Sequence, residues 1–248
     1  MSIRAMAALG QVLSQQGRYN EAFRILEEAD ILAEESCKLT DGMLGGRIGL
    51  VLLSVQLQSV RGTVLTGQGK YSEAEEIFDS ASRDLDSTAV ALRNHPHRSF
   101  LLFGLAEAMM GSGQLDAALA MHEDALAIRL SLFLDISSEQ VSIHILESLV
   151  HIVIVKLAQA CVNGNTKAIG DLVMAVSQEI MPMLKKGLVD KHPLTMYCKG
   201  VYGVALKLLG GQKGQATVDE AVEALTLPEP KGAGLRITHP WICRLKSQ

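Results

Sequence analysis

The apolar positions of this chain follow a helical period that breaks at glycine-centred turns, and the breaks repeat. The clearest copies are QQGRYNEAFRILEEA (Gln15–Ala29), GQGKYSEAEEIFDSA (Gly67–Ala81) and GSGQLDAALAMHEDA (Gly111–Ala125). Set in register, Gly10, Gly17, Tyr19, Ala22 and Ala29 match Gly62, Gly69, Tyr71, Ala74 and Ala81, and then Ala106, Gly113, Leu115, Ala118 and Ala125. Gly17, Gly69 and Gly113 are predicted to end a first helix, because the left-handed backbone that closes a helix costs glycine least. Tyr19, Tyr71 and Leu115 start a second helix and are placed to cover the hairpin end. The small residue before each turn lets the two helices approach closely, and the two alanines share one face of the second helix. Each copy is one helix–turn–helix unit that cannot bury its apolar face alone.

These five positions resemble the signature of the tetratricopeptide repeat (TPR) family. The copies lie 52 and 44 residues apart, against about 34 in the standard repeat, so longer helices or loops are expected. HEDALAIRLSLFLDISSEQVSIHILESL (His122–Leu149) is similar to the long repeats of kinesin light chains. NHPHRSF (Asn94–Phe100), DKHPLTM (Asp190–Met196) and THPWICR (Thr238–Arg244) resemble the His-Pro that opens a unit there, and proline suits a first helical turn. Leu157–Ile180 and Tyr202–Leu225 read as two degenerate units whose register stays open; in the latter, Gly203 and Gly210 keep the spacing and Gly211 and Gly214 read as extra turn residues.

The resemblance implies an all-α fold, a right-handed α-α superhelix of about five helical hairpins over residues 1–226. Its units fall at about 4–38, 48–93, 97–134, 140–187 and 192–226, with 227–248 a C-terminal loop and the start of a partial sixth unit. The chain opens almost inside a helix, with Ser2 its one capping residue. Because solenoids need polar terminal caps, the expectation is a domain of a longer parent chain, or ends covered by something else.

Composition narrows the class. Apolar residues at 48% and charged residues at 20% exclude disorder. Aromatics at 4%, with few strand-forming clusters, point away from sheets. A net charge of -4 without a basic footprint argues against nucleic acid as a partner. Cys37, Cys161, Cys198 and Cys243 form no CxxC pair and read as reduced, buried thiols, which places the chain in a reducing compartment, the cytoplasm. The greasiest stretches, Ile48–Leu57 and Ile145–Val155, fall short of the roughly 18–20 apolar residues of a membrane span, so no span is expected. The N-terminus has no signal-peptide h-region.

Motifs for chemistry are missing: no P-loop, no GxGxxG after a strand, no GxSxG and no HExxH. Gly-rich DGMLGGRIG (Asp41–Gly49) lacks the Lys-Ser/Thr of a phosphate loop and reads as an inter-repeat loop. His95, His97 and His192 border the His-Pro steps and read as turn and cap chemistry rather than metal ligands. His144 and His151, two turns apart, read as packed helix histidines, and Glu27, Glu28, Glu34 and Glu35 as a solvated face. No catalytic residue, metal or cofactor is expected.

In the TPR architecture the first helices line a concave groove. The candidate partner-binding positions are then Arg4 and Gln11 in unit one, Gln56, Ser59 and Thr63 in unit two, Phe100, Phe103, Glu107 and Met110 in unit three, and Tyr197 and Lys207 in unit five. The Lys/Asn carboxylate clamp of chaperone-binding members is absent. The paired asparagines of kinesin light chains are replaced by Ala7-Ala8, Ser59-Val60 and Phe103-Gly104, so that resemblance is one of scaffold. A mean hydropathy of +0.21 is high for a solenoid and points to a buried groove, a partner or self-association. The expectation is a non-catalytic scaffold holding a peptide or amphipathic helix of a protein partner, or another segment of a longer parent chain. The alternatives are a structural module that forms a homo-oligomer and a regulatory peptide sensor within a larger protein.

Overall fold

The computed structural model describes residues 1–40, 44–88, 95–133, 141–189 and 192–226. Every regular element among them is helical. The hairpins are α1 (Ile3–Gln15) with α2 (Tyr19–Thr40), α3 (Leu44–Gly67) with α4 (Tyr71–Thr88), and α5 (Pro96–Gly111) with α6 (Leu115–Phe133). Then come α7 (Ile143–Val162) with α8 (Thr166–Ala175), and α10 (Pro193–Leu208) with α11 (Gly214–Thr226). Helix α8 passes through a π-helical turn, Val176–Ile180, into α9 (Met181–Gly187), whose Pro182 has no N–H to return to a carbonyl of that turn. The helices begin earlier than the glycine content of Asp41–Gly49 suggests. From Leu44 onward that stretch is the start of α3 and not a loop, and Asp41–Met43 lie outside the described residues.

All five hairpin turns are built alike. Gly17, Gly69, Gly113, Gly164 and Gly210 have φ between 62° and 84°, and no other described residue has a positive φ. The N–H of each glycine donates to the carbonyl three residues back, and the next N–H to the carbonyl five back, as in Arg18 to Leu13 and Asn165 to Ala160, both 2.8 Å. This double bond satisfies the last carbonyls of each first helix. It also sets the register that the degenerate units leave open, since Gly164 and Gly210 are the equivalents of Gly17.

Helices α4 and α11 share a burial pattern: four buried positions at steps of four, three and four. In α4 these are Ala74, Phe78, Ala81 and Leu85; in α11, Gly214, Val218, Ala221 and Leu225. Gly214 is therefore not an extra turn residue, because it fills the first alanine position of its helix. A Cβ there would stand 2.5 Å from the Lys207 backbone nitrogen. Backbones pack so closely at this crossing that a methyl group has no room.

The chain divides into two compact units, Met1–Ile128 and Arg129–Gln248. In unit 1, α1 packs on α3 and α3 on α5, so the first helices lie side by side, with α2 wedged against α1 and α3 and α4 against α3 and α5. Two apolar clusters result, one around Leu13, Leu26 and Val64, the other around Val55, Phe78, Leu85 and Leu101. In unit 2 a single core joins α7, α8, α9, α10 and α11 through Leu146, Val153, Ile180, Leu184, Tyr197 and Val218. The apolar helical stretches are longer than the two runs read from the sequence. Ile48–Gly67 and Ile143–Val162, 20 residues each, are long and apolar enough by length and composition to cross a membrane. In this fold they are α3 and α7, each packed against several helices of its own unit.

Candidate partner-binding face

The side-by-side first helices of unit 1 carry nine of the expected positions. Arg4 and Gln11 are exposed on α1, and Thr63 is exposed on α3 with Gln56 and Ser59 half-buried beside it. Phe100, Phe103, Glu107 and Met110 are half-buried on α5. Steps of three and four residues keep each set on one face of its helix. The Thr63 hydroxyl donates to the Ser59 carbonyl at 2.9 Å, so it presents its acceptor lone pairs outward. The face is poor in charge, with Arg4 on α1 and Glu107 on α5, and otherwise offers amides, hydroxyls and apolar side chains.

Phe103 and Glu107 are engaged from within unit 1. His122 of α6, fully buried, brings its Nε2 to 3.3 Å from a Glu107 carboxylate oxygen, and its ring meets Phe103 edge-on at 5.0 Å. Phe103 is thus in part packing between α5 and α6.

In unit 2 the expected face is displaced. Tyr197 has no exposed surface and lies in the core with its ring centroid 6.0 Å from that of His151. Gly200, Val201 and Val204 on the same side are buried too. A partner does not reach Tyr197 in this packing. The half-exposed side of α10 is instead Lys199, Tyr202 and Leu206, with Lys199 tied to Glu220 of α11, while Lys207 is exposed in the last turn. The cause is the packing of α10 on α7, α8 and α9, which covers the side that an isolated helical period leaves ambiguous.

Two residues passed over in the sequence reading stand out in the third hairpin. The buried pattern of α4 and α11 recurs in α6 as Ala118, His122, Ala125 and Arg129, so His122 takes the place of Phe78 and Arg129 that of Leu85. The offsets of four and eleven from the first alanine were the available signal. Within unit 2, Arg129 Nη1 donates to the His144 carbonyl at 2.8 Å, to Ser148 Oγ at 2.8 Å and to a Glu147 carboxylate oxygen at 3.2 Å. Burial lowers the Arg129 pKa, and Glu147 opposes that shift.

The histidines of the His-Pro steps are helix caps, as expected. His95 Nδ1 accepts the His97 N–H at 3.3 Å, and His192 Nδ1 accepts the Leu194 N–H at 3.2 Å, with Pro96 and Pro193 opening α5 and α10. The third step, His239-Pro240, lies outside the described residues. Cys198 is buried, and burial pushes its thiol up to about 12.

The tetratricopeptide repeat family model matches residues 2–37, the first hairpin. No curated protein matches the chain in sequence. Among solved structures, the chain resembles a Podosopora anserina protein described as a kinesin light chain with nearly identical TPR-like repeats, at 20% identity and a TM-score of 0.55 over 90% of this chain and 94% of that one. BtubC (BKLC) from P. vanneervenii is similar at 17% identity and a TM-score of 0.55, over 89% of this chain and 78% of that one. At such identities the likeness is one of fold: an all-α, TPR-like solenoid of about five hairpins.

Proposed function

We propose, from the premise of a TPR-like solenoid, that this chain is a non-catalytic scaffold whose α1–α3–α5 face binds a peptide or amphipathic helix of a protein partner. TPR-like repeats in general mediate protein–protein interaction. The observation that carries the reading here is the lateral adjacency of three first helices that leave Gln11, Thr63, Phe100 and Met110 accessible. The amide and hydroxyl can bond a peptide backbone, and Phe100 and Met110 provide apolar anchors. Exposed Glu27, Glu28, Glu34 and Glu35 on α2, with Glu73, Glu76, Asp79 and Asp84 on α4, favour a partner with basic flanks. A reducing compartment such as the cytoplasm suits the buried Cys198 thiol.

The test is a displayed library of short helical and extended peptides selected against the purified chain. Thr63→Arg adds bulk and charge on the face without touching the core, and is expected to abolish binding while the helical spectrum stays unchanged. Selected peptides that bind Thr63→Arg and Phe100→Ala as well as the wild type would sink the reading.

Exposed Leu9 and Val12 on α1 and Ile31 on α2, at 38%, 47% and 58% exposure, favour a second reading, self-association through the first hairpin. Light scattering over a wide concentration range separates the two. A dimer that Val12→Glu dissociates supports the second.

A further inference from the structure

The N-terminus of α5 gathers an unusual set of groups. His95 caps it with an unprotonated Nδ1, and the His97 ring stands 4.9 Å from the His95 ring, centroid to centroid. Arg98 follows, paired with Asp86 of α4. Arg4 of α1 acts on His97 through space. Arg61 of α3 is paired with Asp30 of α2. On the unit 1 part of α6, Asp116, Glu123 and Asp124 are exposed and His122 sits at Glu107. Among the described residues, the carboxylate that an ion pair brings to the cap is Asp86, already held by Arg98.

We propose that His95 and His97 form an acid-sensitive latch on the first turn of α5, which mild acidification opens by protonating the imidazoles. Protonated His95 has no lone pair on Nδ1 for the His97 N–H, so the cap is lost. The new cation also stands at the positive end of the helix dipole, where anions are favoured and cations opposed. A second imidazolium at His97, with Arg4 and Arg98 close by, adds repulsion that Asp86 alone does not offset. Burial holds both imidazoles below their ordinary value, and for His97 the neighbouring His95 and Arg4 add to that, so the neutral, capped form is the resident one near neutral pH. What opens is the turn Pro96–Phe100, held otherwise by the Arg98 N–H on the His95 carbonyl and by the Ser99 hydroxyl on the Pro96 carbonyl. His192 caps α10 in the same way without a second imidazole in the cap, so the latch proper belongs to α5.

The test is backbone amide hydrogen exchange on the full chain, resolved by NMR at pH 7.5 and 5.5, with each rate normalised to intrinsic exchange at that pH. Protection of the His97–Leu101 amides, relative to those of α1, is expected to fall about fivefold in acid, the equivalent of losing one helix cap. The variant His95→Asn with His97→Gln keeps a neutral cap and is expected to show no such fall. The ring titration of His95 should share its midpoint with the loss of protection in the wild type. The latch is overturned by an equal fall in the double variant, by a loss spread evenly over α1 and α5, or by midpoints about one pH unit apart.

Discussion

Tyr71, the first residue of α4, lays its ring directly on Gly111, the last residue of α5, leaving no space for a side chain there. Tyr19 of α2 does the same to Gly67 of α3, where an added Cβ would stand 2.6 Å from the ring. The tyrosine that opens α2 and α4 therefore covers the end of the first helix of the following hairpin. It is a coupling between repeats, and it sets how the next first helix is seated.

Gly111→Ala should then act as overpacking. The expected cost is about 1–3 kcal/mol, read from urea unfolding. In a Tyr71→Ala background the same change should cost nothing further, since the ring is gone and alanine is the better helix former. A cost that persists in that background would count against the contact.

Arg129 gives a second prediction. Its guanidinium is fully buried and donates to the His144 carbonyl, Ser148 and Glu147. Arg129→Leu restores the side chain that α4 has at this position, yet leaves a carbonyl and a buried hydroxyl without their donor. The expected loss is about 3 kcal/mol, measured by chemical denaturation. A variant as stable as the wild type would show those groups re-satisfied elsewhere.

Glycines at turns and in helices should respond oppositely. Gly164 has φ +62°, and alanine there is expected to cost about 1 kcal/mol. Gly170 lies inside α8 with open space where a Cβ would go, so Gly170→Ala is expected to stabilise by about 0.5–1 kcal/mol. Thermal melts of the two single variants should move in opposite directions.

Stability should fall in mild acid. Burial is the main cause that holds His95, His97, His144 and His192 below the ordinary imidazole value, with Arg129 adding to it at His144. The unfolded chain therefore binds protons more readily than the folded one. The contribution is full above about pH 6.5 and is lost as pH falls through that value towards the folded-state pKa values. The urea midpoint should be flat from pH 8 to 7 and decline below 6.5, and His192→Asn should make that decline shallower.

Much of this was legible because it is local. Gly17, Gly69 and Gly113 mark their turns by residue type, since few residues close a helix with positive φ, and the alanine spacing marks the buried side of the second helices. The His-Pro caps were legible for the same reason, a cap being made within two residues of its own helix. Unit five misled because Gly203, Gly210, Gly211 and Gly214 are four glycines with different duties. Gly210 turns the chain, while Gly214 yields room to the backbone of α10, a neighbour that a linear reading does not see.

The sequence by itself determined the all-α class, the hairpin turns and most of the helix ends, all set by contacts within a few residues of one another. Tertiary structure alone decided the rest. Tyr197 went to the core because α7, α8 and α9 close over that side of α10. His122 and Arg129 occupy apolar positions because polar groups from other helices face them: Glu107 in unit 1 for His122, and His144, Glu147 and Ser148 in unit 2 for Arg129. Helical periodicity says which residues share a face, and only packing says what each face meets.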